Sequence, residues 1–161
     1  MRRTVILTIH VTATVGWLGA VAAFLALALA GLVTRDPSSA RGIYLAMEAS
    51  GWFVIVPFSL ASLATGLLQS LTTEWGLLRH YWIIATWIIN IVAAGVLLLF
   101  MRGLDLAAVA TPRPAVHAAA ALALLLAATA LSIFKPGGLT AGGLRRQARR
   151  LALTREASRP A

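Results

Sequence analysis

The feature that most constrains this chain is the recurrence of long apolar stretches that carry almost no charge. Four such runs occur in 161 residues, and each is long enough to cross a hydrocarbon core of about 30 Å at about 1.5 Å per residue. Charged residues make up 12% of the sequence, against about a quarter in soluble domains. The runs also lack the wide polar face that a water-soluble helix needs. The sequence therefore predicts an all-α integral membrane protein.

The ends of the apolar runs define the expected organisation. Residues 1–135 form the membrane domain, and residues 136–161 form a tail. Short connections between successive helices predict an up-down-up-down bundle. The four predicted transmembrane helices cover about 5–33, 51–71, 80–101 and 115–134.

Two proline residues mark the second helix. Asp36 and Pro37 have the residue types of an N-cap and a first helical position. The segment 38–50 then either lies at the membrane interface or extends the second helix outward. Pro57 has no N–H to donate to the carbonyl of Phe53, so we expect it to kink this helix.

The basic residues are concentrated after the last apolar run, where a tail helix on anionic lipid headgroups explains them better than a nucleic-acid-binding arm. With both termini in the cytoplasm, ten basic residues lie inside and four outside, which agrees with the positive-inside rule. We predict a multi-pass protein of the bacterial plasma membrane. Seven of the 14 lysines and arginines belong to this last group: Lys135, Arg145, Arg146, Arg149, Arg150, Arg155 and Arg159.

The first helix presents two faces that suit packing. At 100° per residue, small residues form one face and a mixed polar and aromatic set forms the other. The small face is expected to let another helix approach closely. It contains Thr12, Gly16, Gly19 and Ala23, and the second face contains His10, Thr14, Trp17, Val21 and Phe24.

Several uncharged polar residues interrupt the predicted spans, and we expect them to face the bundle interior, either hydrogen-bonding between helices or lining a small polar site. They are Thr14, Ser59, Ser62, Gln69, Thr86 and Asn90. The predicted spans contain no Asp or Glu, which argues against a carboxylate-driven pump and against acid–base catalysis by carboxylates. The absence of cysteine from the sequence excludes thiolate nucleophiles and covalent haem attachment.

Three strings of the sequence resemble a known family. Gly-Trp-Phe-Val-Ile-Val-Pro at 51–57, Thr-Gly-Leu-Leu-Gln-Ser-Leu at 65–71 and Trp-Gly-Leu-Leu-Arg-His-Tyr-Trp at 75–82 are similar to the signature of small bacterial, mostly actinobacterial, four-helix membrane proteins that share a domain of unknown function. The resemblance covers about 10–135 and implies the four-helix fold but no established activity. Members of that family often have a lysine in the third helix, where this chain has Thr86.

The first helix also resembles that of two other four-helix families, the copper-resistance membrane proteins and the haem-binding protoporphyrinogen oxidases of bacteria. The shared pattern is His10 followed by Trp-Leu-Gly at 17–19. The second resemblance implies that His10 is a candidate ligand of haem b. His80 is then the second axial-ligand candidate, and Arg79 suits a haem propionate. The alternative is that His10 bonds a neighbouring helix, while Arg79 and His80 form an interfacial anchor.

The sequence leaves three functions open. The first is a non-catalytic bundle that acts through lipid, through a second copy of itself or through a partner membrane protein. The second is a b-type haem or redox protein that uses His10 and His80 and holds no other metal. The third is a small-solute transporter.

Overall fold

The computed structural model describes residues 2–72, 80–134 and 138–140, together with positions 142, 144, 145, 148, 149, 151 and 153. Within this part of the chain there is no β-strand, and the prediction of an all-α fold is confirmed. The α-helices are α1 (Arg2–Val33), α2 (Pro37–Ser50), α3 (Val56–Thr72), α4 (Tyr81–Arg102) and α5 (Arg113–Phe134).

Four helical segments are long and apolar enough to cross a membrane, as the sequence predicts. The second is longer than expected, because it includes α2 and begins at Pro37 instead of near residue 51. As a result Glu48 lies within it, although the predicted spans contained no carboxylate. The segments are Thr4–Val33, Pro37–Leu71, Tyr81–Arg102 and Arg113–Phe134.

The start of α2 confirms the predicted helix signal. Asp36 has extended backbone angles and is the N-cap, and Pro37 is the first helical residue. The Asp36 carboxylate accepts a hydrogen bond of 2.8 Å from the backbone N–H of Ser39. The segment 38–50, whose place the sequence left open, therefore belongs to α2 and extends the second span.

A π-helical turn at Gly51–Ile55 joins α2 to α3. The Val56 N–H donates to the carbonyl of Gly51, five residues earlier. The next residue, Pro57, has no N–H with which to resume the ordinary pattern at once. The wide turn thus lies just ahead of the proline that was expected to disturb the helix. Gly51 is buried here against the Met101 side chain of α4, which occupies the space that a Cβ atom would need.

The helices pack in a closed ring. α1 contacts α3 and α5, and α4 contacts the same two helices from the opposite side. α1 and α4 also meet where the Phe24 and Phe100 rings pack edge to face with centroids 6.3 Å apart. The short 3-10 helix Ala107–Ala110 lies between α4 and α5 in the chain and contacts α1 and α2. Its buried Val109 lies against Gly31 of α1.

One of the two predicted faces of α1 is buried. Trp17, Val21 and Phe24 lie in the core, whereas most of the small-residue face is exposed, and a Cβ atom added at Gly19 would meet nothing within 4 Å. Gly16 is the exception, because the Phe58 ring lies against it. The expected close approach along the whole small face is therefore wrong. Large apolar side chains bury more area, so they decide which face turns inward.

Candidate functional site

A row of polar side chains connects α1 to α3. The His10 Nδ1 atom lies 3.0 Å from the Thr65 Oγ1 atom, and one turn further along α1 the Thr14 Oγ1 atom lies 2.9 Å from the Ser62 Oγ atom. Residue numbers increase along α1 while those of the contacting residues on α3 decrease, so the two helices are antiparallel. We call these four residues the α1–α3 polar ladder.

The ladder follows from helical periodicity. His10 and Thr14 are four residues apart, and Ser62 and Thr65 are three apart, so each pair shares one face of its helix. The Thr14 hydroxyl donates to the His10 carbonyl at 2.9 Å. Because a hydroxyl has one proton, Ser62 must donate to Thr14. The donor and the acceptor of both hydrogen bonds of the Thr14 hydroxyl are therefore assigned.

The same reasoning identifies the tautomer of His10. The Thr65 hydroxyl makes its shortest contact, 2.6 Å, with the Ala61 carbonyl, and this contact takes its proton. Thr65 is then the acceptor from His10, so Nδ1 carries the imidazole hydrogen. The lone pair of the neutral ring is left on Nε2. Histidines that bind metals use this arrangement, in which one ring nitrogen is held by a hydrogen bond and the other is a ligand.

Gly66 makes room for the imidazole. A Cβ atom at position 66 would lie 3.2 Å from the His10 Cε1 atom, closer than ordinary van der Waals contact. The ring therefore lies directly against the backbone of α3. This contact gives Gly66 a steric role, because it leaves the space that the His10 ring occupies.

The remaining predicted interior residues make local bonds. Ser59 is 1% exposed and donates to the Val56 carbonyl at 2.8 Å. Thr86 donates to the Trp82 carbonyl at 2.9 Å, and the Asn90 side-chain amide donates to the Thr86 carbonyl at 2.8 Å. Gln69 is half-buried. The structure thus joins Thr14 and Ser62 across helices, whereas these bonds of Ser59, Thr86 and Asn90 stay within one helix.

The predicted haem residues fall in different surroundings. His10 belongs to the polar ladder, and none of its hydrogen bonds or ring contacts in the described part of the chain involves His80. His80 precedes α4, pairs with Leu139 in a β-bridge and lies 6.3 Å from the Trp82 ring, centroid to centroid. Arg79 lies outside the described residues. Joint haem ligation by His10 and His80 remains a prediction.

Among the described residues, no group of three or more His, Asp or Glu side chains is close enough to hold a metal ion. A metal ion bound by His10 would therefore need further ligands that do not come from such a group of side chains.

Sequence reasoning missed a second cluster, at the end of the bundle where α4 finishes and α5 begins. The His117 ring stacks on Phe100 with centroids 4.7 Å apart and an interplanar angle of 29°. The His117 Nδ1 atom lies 2.8 Å from the Arg113 carbonyl. No role was assigned to His117 from the sequence. The signal available was the spacing of Arg113 and His117, one turn apart.

Comparison of the chain with protein-family models, with curated proteins and with solved structures found no significant match. The family resemblances predicted from the sequence therefore remain predictions, and the function has to be argued from the residues.

Proposed function

We propose that this chain is a four-helix bundle of the bacterial plasma membrane that acts without catalysis of its own, through lipid and partner membrane proteins. The proposal includes up-down-up-down topology, cytoplasmic termini and a basic tail on anionic headgroups. The observation that carries it is the apolar surface of the spans. On α4, for example, large apolar side chains are about half exposed or more at Ile88, Ile91, Val92, Val96 and Leu99.

Such a surface suits hydrocarbon or another apolar helix, because exposing it to water would be costly. The polar ladder supports the same function from inside the bundle. Its hydroxyls and imidazole bond one another across α1 and α3, as polar side chains do when they hold membrane helices together. The ladder thereby stabilises the bundle and leaves its outer faces for partners.

Topology can be tested directly because the chain contains no cysteine. Ser38→Cys reports the start of α2, and Arg149→Cys reports the tail. In intact spheroplasts, a membrane-impermeant maleimide should label Ser38→Cys, whereas Arg149→Cys should react after permeabilisation. Labelling of Arg149→Cys in intact cells would overturn the proposed orientation.

The mode of action is tested by purification in mild detergent from native-level expression. Retention of a stoichiometric membrane protein, of a second copy or of specific lipid supports the proposal. A protein that is extracted from membranes by alkaline carbonate would contradict it, because integral helices resist such extraction.

The tautomer of His10 favours a second candidate, a b-type haem protein. The Thr65 contact holds Nδ1–H and leaves Nε2 as a ligand atom, which fits an axial imidazole. Bound haem would supply one-electron redox chemistry. Absorption spectra of oxidised and dithionite-reduced protein, expressed with haem precursor, test this candidate. A Soret band lost in His10→Ala and retained in the matched control His117→Ala supports it, and a clean baseline rejects it.

A further inference from the structure

Two adjoining cavities lie between α4 and α5. The outer one has a volume of about 250 Å³ and is lined by Arg113 and His117 together with Val96, Leu99 and Phe100. The inner one, about 100 Å³, shares Val96, Phe100 and His117 with the outer cavity and continues among apolar side chains of α1, α4 and α5. We call the two together the α4–α5 groove.

The groove is amphipathic along its length. Its outer part is lined by Arg113, and its inner part is lined almost entirely by hydrocarbon, down to Val92 on α4 and Leu124 on α5. From Phe100 to Val92, eight residues of helix correspond to about 12 Å. A ligand that fills it therefore needs a polar end and an extended apolar part.

The charge at the mouth is positive and available. Arg113 is exposed, and within the described part of the chain no carboxylate forms an ion pair with it. The acidic side chain of this connection, Asp105, accepts a hydrogen bond of 2.7 Å from the Ala108 N–H, which caps the short 3-10 helix. A guanidinium of this kind suits a phosphate, because its planar donors match two phosphate oxygens.

The boundary between the two parts is held in place by His117. Its ring is stacked on Phe100, and its Nδ1–H donates to the Arg113 carbonyl, since a carbonyl can only accept. His117 and Phe100 line both cavities, whereas Arg113 lines the outer one. The Arg113 end of the groove is thus held next to its apolar part by one contact between α4 and α5 and one within α5.

We propose that the α4–α5 groove binds one anionic phospholipid, with its phosphate on Arg113 and one acyl chain between α4 and α5. This inference rests on the proposed function in the membrane and names the lipid partner. A free phosphate would leave the apolar channel unused, and an apolar helix of a second copy would leave Arg113 unused. An anionic lipid satisfies both ends.

Native mass spectrometry of the detergent-purified full chain tests the headgroup. The probes are phosphatidylglycerol and phosphatidylcholine with identical acyl chains. We expect one phosphatidylglycerol molecule to bind with roughly fivefold to tenfold preference, the effect of one interfacial arginine. Arg113→Gln should remove the preference, Arg113→Lys should retain part of it, and the matched control Arg35→Gln should leave it unchanged. Equal binding of the two lipids, or an unaltered preference in Arg113→Gln, would overturn the proposal.

A second pair of variants tests the acyl chain. Ala119 and Ala120 are both exposed neighbours on α5, but only Ala120 lines the channel. Ala120→Trp should reduce the binding of both lipids severalfold, and Ala119→Trp should not. Two results would overturn the acyl-chain assignment. One is displacement of the bound lipid by inorganic phosphate alone, and the other is that Ala120→Trp disrupts a dimer instead of reducing lipid binding. If the chain resists alkaline extraction but shows no lipid preference, this inference fails and the proposed membrane function stands.

Discussion

The Nδ1 atom of His10 lies 3.0 Å from the hydroxyl oxygen of Thr65, and this hydrogen bond joins α1 to α3 inside the membrane-spanning part of the bundle. The donor is the imidazole, because the single proton of Thr65 is already given to Ala61. Removing the Thr65 hydroxyl would take this acceptor from the imidazole and leave the backbone of Ser62 as its remaining hydrogen-bond partner.

Thr65→Val makes this change while nearly keeping the side-chain shape. We expect the free energy of unfolding to fall by about 1 kcal/mol, near the value of interhelical hydrogen bonds in membranes. Unfolding of the detergent-solubilised protein by added SDS measures it. The control is Thr129→Val, which removes a hydroxyl bonded at 2.8 Å to Leu125 of its own helix. Equal losses in the two variants would show that the contact between α1 and α3 adds nothing.

Gly66→Ala tests the close contact of His10 with α3. The added methyl would lie 3.2 Å from the His10 Cε1 atom, so the ring must move and its bond to Thr65 must weaken. We expect a loss of about 1–2 kcal/mol in the free energy of unfolding, typical of overpacking. Gly95→Ala is the control, since nothing lies within 4 Å of its added methyl. Because alanine favours a helix over glycine by about 1 kcal/mol, this variant should not lose stability.

The cause of that loss can be isolated in a double variant. If the imidazole is the obstacle, Gly66→Ala should cost nothing when it is made in the His10→Ala protein. A penalty that persists without the imidazole would point to another neighbour of position 66.

Pro57→Ala should convert the π turn toward regular helix, because residue 57 then gains an N–H for the Phe53 carbonyl. A straighter segment is longer, so the distance between its two halves should increase. Spin labels at the exposed positions Leu45 and Leu67, placed through cysteine substitutions, report this distance by pulsed electron paramagnetic resonance. Pro37→Ala, at the first helical position, should leave it unchanged. The same distance in both variants would mean that the Met101 contact at Gly51 maintains the wide turn by itself.

The N-cap of α2 should show an unusually acidic carboxyl group. Hydrogen bonds from the Ser38 hydroxyl, then from the hydroxyl and backbone N–H of Ser39, lower the pKa of Asp36 from 3.8 to about 2. Because the pKa is lower in the folded state, the carboxylate stabilises the fold fully above about pH 3.8. That contribution is lost as the pH falls through about 2.

A carbon-detected NMR titration of Asp36 measures this pKa. In Ser38→Ala/Ser39→Ala, which keeps the backbone donor, the midpoint should move upward toward 3.8. Ser50→Ala, whose hydroxyl bonds the Met47 carbonyl, is the control and should not move it. An Asp36 midpoint near 3.8 in the unaltered protein would contradict the capping geometry.

Much of the fold was predictable because it depends on local physics. The apolar runs identify the spans, since length and hydropathy alone decide whether a helix can cross a bilayer. Asp36 and Pro37 mark the start of α2 because capping is satisfied within four residues of chain. The extension of α2 through 38–50 was left open, since this segment contains Arg41 and Glu48 and hydropathy does not distinguish an interfacial helix from the end of a span.

The contacts between helices required the tertiary structure. Helical spacing placed His10 and Thr14 on one face, but the choice between that face and the small-residue face depended on how much apolar area each buries. No spacing rule relates Thr65 to His10, 55 positions apart, or brings His117 onto Phe100. The sequence by itself determined which segments are helical and apolar, because those properties are local. Only the packing decided which polar atoms meet, because the partners of a side chain in a membrane bundle are set by the rotation and depth of neighbouring helices.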